Sequence, residues 1–453
     1  KIAQQMGTRN FELPCDAQHV SNIVNAFAKA QTWDQRLFQR MSYLAQRFPA
    51  DEFDGQILAN IFNAYAQLRL RDEPLLRYLC DVGKNMPSSS YDGQAIANVF
   101  HALAVLGYRD EALIDHLTAM LLRARQTSLF AQDFNAQALA NLAWSIAVLQ
   151  LSNEGLNRFV CEACARQIHA MDQNQLRQLH QFVVAHEVEK FVDPSELPQL
   201  QGILDHRGKI EKAFLEEIKT SPKNQKTDRL ELDPEEEEGK PEILGSYLQQ
   251  DVAECLKILL RGKVDSTAVR RAVSEVPEGA EIAGETNPVA EGGDFSVEEE
   301  LREPVTGYSL DIGISGTTIF IEVNGPTHYA SGSHKPLGAT TMKRRQLQKL
   351  GYTLLTVPYW QWPGSSVTGN TQEMKMAVLR RLLAPHLPML VGGEIGAGEE
   401  PVDLESEPPA QALEPGSFMF SEDLGSDSFS LDVPIADIFS EEPRRPGGAR
   451  GPG

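Results

Sequence analysis

Apolar positions recur at helical spacing through the first two fifths of the chain, and the pattern itself repeats. Four segments align: CDAQHVSNIVNAFAKA from Cys15, FDGQILANIFNAYAQL from Phe53, YDGQAIANVFHALAVL from Tyr91 and FNAQALANLAWSIAVL from Phe134. Their glutamines, Gln18, Gln56, Gln94 and Gln137, with Gln175 beyond, are spaced by 38, 38, 43 and 38 residues. In the second copy Leu58, Ile61, Phe62, Tyr65 and Leu68 share one helix face, and a second apolar helix follows from Pro74 to Val82. Each unit therefore predicts a helical hairpin. A lone hairpin cannot bury its apolar face, so the copies must stack into a solenoid, over about residues 11–195.

The first helix of each unit also carries a polar stripe at i, i+4, i+7 and i+11, offsets that keep side chains on one face. The stripe reads Gln18, Asn22, Asn25, Lys29; Gln56, Asn60, Asn63, Gln67; Gln94, Asn98, His101, Val105; and Gln137, Asn141, Trp144, Val148. The unchanging Gln and Asn columns cannot discriminate one base from another and read as a structural ladder satisfying backbone groups between hairpins. The varying third column, Asn25, Asn63, His101 and Trp144, has side chains that hydrogen-bond or stack on unpaired bases. It is the candidate RNA-reading column, with Lys29 and Gln67 beside it; the alternative is an exposed column that is merely solvated. The 38-residue period with its Gln-x-x-Ala-Asn helix resembles the octotricopeptide repeats of organellar RNA-processing proteins, which implies binding of single-stranded RNA.

Further on the period changes from helical to alternating. In GYSLDIGISGTTIFIEVNGPTHY, Leu310, Ile312 and Ile314 share one face and Ile319, Ile321 and Val323 share another, with Ser315 and Gly316 between them. This predicts a β-hairpin with one buried face. TTMKRRQLQKLG then reads as a helix closed by Gly351, and YTLLTVPYWQW as a returning strand. The order is ββαβ, preceded by a helical segment from Ile243 in which Leu248, Val252, Leu256 and Leu259 recur at helical spacing.

The set LDIGI, IFIEVNGPTHY, LGATTMKRRQLQKLGY and VPYWQW, over about residues 307–366, is similar to the RAP domain. That resemblance implies a small α/β domain related to the restriction-endonuclease fold, commonly placed after helical repeats in proteins that handle mitochondrial or plastid RNA. It also raises nuclease chemistry of the PD-(D/E)XK type, which needs an Asp on one strand and Glu-x-Lys on the next to hold Mg²⁺ and polarise water. Alternation sets Asp311 opposite in face to Leu310 and Ile312, and sets Glu322 together with Asn324. Neutral Asn324 stands where the motif needs Lys or Asp, so no catalytic site and no cofactor are expected. If the chain were a nuclease, Asp311 and Glu322 would hold the metal and Lys343 would supply the cation.

Charge changes the picture only when divided along the chain. The net charge is −21. Residues 1–220 hold 21 Lys and Arg against 25 Asp and Glu, residues 221–300 hold 9 against 20, residues 301–385 hold 9 against 4, and residues 386–453 hold 3 against 14. Acidity is concentrated in linker and tail. The single net-basic segment holds the helix with Lys343, Arg344, Arg345 and Lys349, which with Trp360 and its neighbours Tyr359 and Trp362 offers charge and stacking surface to RNA. Adjacent charges cannot share one helix face, so at least one of them is simply solvated, and the tryptophans have a core reading as well.

The class is thus α plus α/β: a helical array at 11–195, a connector with an acidic linker at 196–242, an α/β domain at 243–390 with a loose insertion at about 275–300, and an acidic low-complexity tail at 391–453. No apolar run is long enough to span a membrane. Five cysteines inside helical patterns point to a reducing compartment, and Cys161 and Cys164 read as core residues rather than zinc ligands. The sequence starts at Lys1 rather than Met, so any targeting peptide is expected to have been removed or left out, and the sequence bears on location only indirectly. The expectation is an RNA-binding protein of the mitochondrion, or alternatively the plastid. Its partners would be single-stranded or ribosomal RNA and ribosomal or RNA-processing proteins, and its role would be in processing, stability or the mitochondrial ribosome. The alternatives are a Mg²⁺-dependent endoribonuclease and a protein-binding helical scaffold.

Overall fold

A computed structural model of the chain describes residues 15–124, 134–220, 243–261, 295–364, 371–387 and 404. Helical hairpins occupy the repeat region: α1 (Ala17–Lys29) with α2 (Gln35–Ala45), α3 (Gly55–Gln67) with α4 (Glu73–Asn85), α5 (Gly93–Val105) with α6 (Glu111–Ala124), and α7 (Ala136–Leu149) with α8 (Glu154–Gln167). α9 (Gln173–Val184) follows, continued by a π-helical turn, Ala185–Glu189. The starts are set by capping. Asp16, Asp54, Asp92, Asn135 and Asp172 each accept the backbone N–H three residues on, and so do Asp34, Asp72, Asp110 and Asn153 in front of the second helices.

First helices pack side by side as one layer and second helices as another, with a continuous apolar core between. Two recurrent features set the register. An aromatic residue precedes the N-cap of a first helix and packs on the start of the preceding one, which is why glycine stands there: a Cβ at Gly93 would lie 2.6 Å from the Phe134 ring. Arg71 and Arg109, one repeat apart, each cross to the next unit, donating to Leu106 and Gly107 O and to Leu149 O respectively, and each pairs with the Glu two residues on. These carbonyls lie at the negative ends of α5 and α7.

The helical layer does not stop near residue 195. α10 (Gln201–Leu204) and α11 (Arg207–Thr220) extend it, burying Ile210, Ala213 and Phe214. Their spacing is helical, but the charges of RGKIEKAFLEEIKT disguised it as connector. Residues 221–242, expected to be the acidic linker, lie outside the described residues.

The α/β domain begins with α12 (Ile243–Arg261) and has a four-stranded sheet in the order β1 (Val297–Arg302), β2 (Ser309–Ile314), β3 (Ile319–Asn324), β4 (Thr353–Pro358). β1 with β2 and β2 with β3 are antiparallel, whereas β3 and β4 are parallel and joined through α13 (Gly338–Lys349). β1 corrects the loose insertion, whose expected span it overlaps: VEEELR reads as solvated charge because an edge strand exposes most of its side chains. The rest of that insertion, 275–294, lies outside the described residues.

Both faces of the sheet are covered, not one. Ile312, Ile314, Ile319, Ile321 and Val323 pack with α12 and α14 (Thr371–Leu383), while Leu310 and Phe320 pack with Leu347 of α13 and Phe214 of α11. The tail lies outside the described residues except Leu404, which is buried in the first of these clusters.

The α/β domain is seated on the array. The start of α13 enters between the ends of α5 and α7, where a Cβ on Gly338 would overlap the Ala104 carbonyl oxygen and lie 2.6 Å from Val148 Cγ1. Met342 joins the core of the array. Ser331 donates to the carbonyls of Leu68 and Arg69, Lys335 pairs with Glu73, and His180 bonds the carbonyl of Thr306 at 2.9 Å. One domain thus spans the C-terminal ends of successive first helices.

Candidate nucleic-acid interface

Along the polar stripe, Gln and Asn side chains form a ladder bonded to one another rather than to backbone groups of the next hairpin, with Gln175 also accepting the N–H of its own N-cap Asp172. Gln18 donates to Asn22 at 2.9 Å, Gln94 to Asn98 at 3.0 Å and Gln137 to Asn141 at 2.9 Å, and Gln175 and Gln178 cross from α9 to Gln137 and Asn141. The i, i+4 geometry brings the Gln amide N–H of these three helices to the Asn carbonyl oxygen one turn on, while Asn141 Nδ2 and Gln178 Oε1 stay buried without a partner among the described residues.

The stripe closes progressively along the array. Gln18 and Gln56 are exposed, Gln94 and Gln137 half-buried and Gln175 buried. The third column follows the same gradient: Asn25 and Asn63 are half-exposed, but His101 is only 5% and Trp144 only 1% exposed. His101 packs on Trp144 at 5.3 Å between ring centroids, and Trp144 Nε1 donates to Gln181 Oε1 at 2.5 Å. Neither His101 ring nitrogen has a hydrogen-bond partner, and burial pushes its pKa down to about 4, so it is a neutral core histidine. His101 and Trp144 are thereby removed as base-reading candidates: the next hairpin covers them, and α13 sits against Val148 at the end of the same stripe. What stays open is the N-terminal part, with Asn25, Lys29, Asn63 and Gln67 all exposed or half-exposed.

The basic helix divides its charges three ways. Lys343 turns to β3 and pairs with Glu322 at 2.5 Å, and Arg344 donates to the Thr356 hydroxyl of β4 at 3.2 Å. Arg345 turns to the array, donating to both oxygens of Glu189 at 2.5 and 3.1 Å and to the carbonyls of Val148 and Ala147 at 3.2 and 2.8 Å. Arg345 is therefore a joint between domains and not a phosphate contact. Lys349 is exposed. Trp360 is also corrected: it is buried, stacked on His334 at 4.1 Å and edge-on to Tyr329 at 4.5 Å, so it offers no free face to a base. Trp362 is buried too, donating to Asp251 at 2.8 Å.

The residues of the nuclease-like motif do come together. Extending the Ile312↔Ile321 pairing by one residue sets Asp311 against Glu322, and Lys343 reaches in from α13. However, Asp311 Oδ2 accepts the backbone N–H of Val323 at 2.8 Å, and Glu322 is buried with Oε2 on Lys343 and Oε1 without a partner. Burial raises the Glu322 pKa, with Lys343 opposing and Asp311 reinforcing that rise. Mg²⁺ wants several oxygen donors with room for water. One carboxylate held by a lysine, one capping a strand amide, and the neutral, buried Asn324 do not fit that ion. Among the described residues no group of three His, Cys, Asp or Glu side chains is arranged to hold a metal. Cys161 and Cys164 are buried and free, the Cys161 thiol being pushed up to about 12 by burial.

The family model described as RAP domain matches residues 321–382, which takes in Glu322, Asn324 and Lys343 but not Asp311. The model of the RNA-editing substrate-binding complex 6 protein family matches residues 7–123, the first three hairpins. A rice protein (Oryza sativa subsp. japonica) described as a chloroplastic RAP domain-containing protein is 28% identical over 79 residues. That match covers 17% of this chain and 12% of the rice protein. The chain carries a RAP domain behind a helical N-terminal region, and no helix among the described residues is long and apolar enough to cross a membrane.

Proposed function

We propose, from a RAP domain seated on a helical array, that this chain binds single-stranded RNA inside an organelle, where the RNA is a transcript being processed or stabilised or a ribosomal RNA of the mitochondrion. The observation that carries the reading is the gradient along the polar stripe. Its N-terminal end presents Asn25, Lys29 and Asn63 on an open face, with Gln67 half-buried beside them and its amide oxygen turned inward, while its C-terminal end is closed by neighbouring hairpins and by α13. Amides at regular intervals with a cation beside them suit unpaired bases and phosphates. The RNA-editing family matched by the first three hairpins and the chloroplastic rice relative support an RNA role and an organellar location.

The test is crosslinking in a native organellar extract, sequencing of the bound RNA, and incubation of that RNA with the purified chain and Mg²⁺. A discrete, uncut organellar RNA whose recovery falls in Asn25→Ala/Asn63→Ala supports the proposal. Cleavage lost in Glu322→Gln would replace it with a nuclease. No RNA above background would leave a protein-binding scaffold.

A further inference from the structure

The second helix of the first hairpin differs from its counterparts. α4, α6 and α8 mix acids and bases on their outer faces, with Glu73 and Asp81, Glu111 and Asp115, and Glu154 and Glu162 among them. α2, QRLFQRMSYLA, has no acid, and its outward positions Arg36, Arg40 and Tyr43, continued by Arg47, follow at i, i+4, i+7 and i+11, which is one helix face. Leu37, Phe38 and Met41 on the opposite face are buried in the array.

Tyr43 is 49% exposed, an unusual position for a large ring. It is held in place: the Arg40 and Arg47 guanidinium groups lie 5.4 and 5.3 Å from the ring centroid, and Arg47 donates to the Tyr43 hydroxyl at 2.7 Å. Among the described residues neither Arg36, Arg40 nor Arg47 is paired with a carboxylate, although the chain as a whole carries −21. Three uncompensated guanidiniums around an ordered, exposed aromatic ring match a polyanion that also has flat bases to stack.

We infer that this outer face of α2 is a second RNA contact, with Arg40 and Arg47 taking backbone phosphates and Tyr43 stacking on an unpaired base, outside the polar stripe of the first helices. The inference rests on the RNA-binding reading above. It places a contact that tracks the RNA backbone at the N-terminal end of the array, on the layer of second helices rather than on the first helices that carry the stripe.

The experiment measures binding of the full chain to a fluorescein-labelled uridine oligonucleotide by fluorescence anisotropy across a salt series, for wild type, Arg40→Gln/Arg47→Gln, Tyr43→Ala and Tyr43→Phe. These side chains lie on the surface, so thermal melts monitored by circular dichroism should match wild type. Loss of two phosphate contacts should flatten the salt dependence of log K by about 1.4. Tyr43→Ala should weaken binding by about 5- to 150-fold, as one lost base stack does, while Tyr43→Phe keeps wild-type affinity. Wild-type affinity and salt slope in all variants would overturn the α2 contact and leave RNA binding intact. A wild-type chain that binds neither this probe nor organellar RNA would overturn both.

Discussion

Removing Arg345 tests whether the RAP domain and the array are one cooperative body. The Glu189 carboxylate is 1% exposed and sits at the π-helical end of α9, where it accepts from Arg345, from Gln346 at 2.8 Å and from Gln150 at 2.5 Å. Arg345→Ala leaves a buried anion with two neutral donors and no counter-charge, a change that costs about 3–5 kcal/mol in comparable buried pairs. The carbonyls of Ala147 and Val148 also lose their cation at the end of α7, worth about 0.3–1 kcal/mol. Retention of the two glutamines favours the lower end, so a loss of about 3–4 kcal/mol is expected. Glu189→Leu combined with Arg345→Met removes both charges and should recover most of that loss, since an apolar pair of similar volume needs no desolvation. The assay is urea unfolding followed in parallel by far-ultraviolet circular dichroism and tryptophan fluorescence, which reports Trp33 and Trp144 in the array and Trp360 and Trp362 in the RAP domain. In wild type the two signals should coincide; in Arg345→Ala they should separate as the RAP domain releases first. A loss below about 1 kcal/mol, or single-mutant effects that simply add in the double mutant, would refute the buried-pair reasoning.

Three further outcomes follow from the same geometry. His101 and His186 are both held neutral, with pKa lowered to about 4 by burial, so the unfolded chain binds more protons between that value and about 6.5. Stability should then fall as pH drops through this window by up to about 1.4 kcal/mol per pH unit for each histidine, and His101→Phe should remove one share of that slope without loss at pH 7. Lys343→Met strips buried Glu322 of its cation and should cost about 3 kcal/mol at pH 8. Because the Glu322 pKa lies above its unfolded value, the folded state holds the proton more firmly, and the deficit measured by urea unfolding should shrink at pH 5; a deficit independent of pH would contradict it. Gly338→Ala drives a methyl group into the Ala104 carbonyl and Val148, so limited proteolysis should cut between the array and the RAP domain faster than in wild type, with about 1–3 kcal/mol lost.

Local rules carried much of the architecture. Apolar spacing within each hairpin, the Asp or Asn before each helix and the alternation of β2 and β3 are properties of a few consecutive residues, and the chain had to satisfy them wherever it lay. Asp311, Glu322 and Lys343 were likewise legible as a group, because strand alternation puts the two carboxylates on one face. The Arg71 and Arg109 staples were also present in the sequence, as Arg-Asp-Glu one repeat apart, but only the neighbouring repeat reveals that each arginine caps a helix it does not belong to. The edge strand β1 and the helix α11 were obscured by charge, since few of their residues point inward.

What the sequence by itself determined is which side chains share a face: Asn25, Asn63, His101 and Trp144 in one column, and Lys343, Arg344 and Arg345 as successive positions of one helix. Only the tertiary structure decided what stands above each face. The stacking of hairpins and the seating of α13 left Asn25 and Asn63 within reach of solvent and buried His101 and Trp144, and the same docking turned Arg345 from a surface cation into the partner of Glu189. Helical periodicity encodes direction around an axis; burial depends on residues distant in the chain that come to occupy that direction.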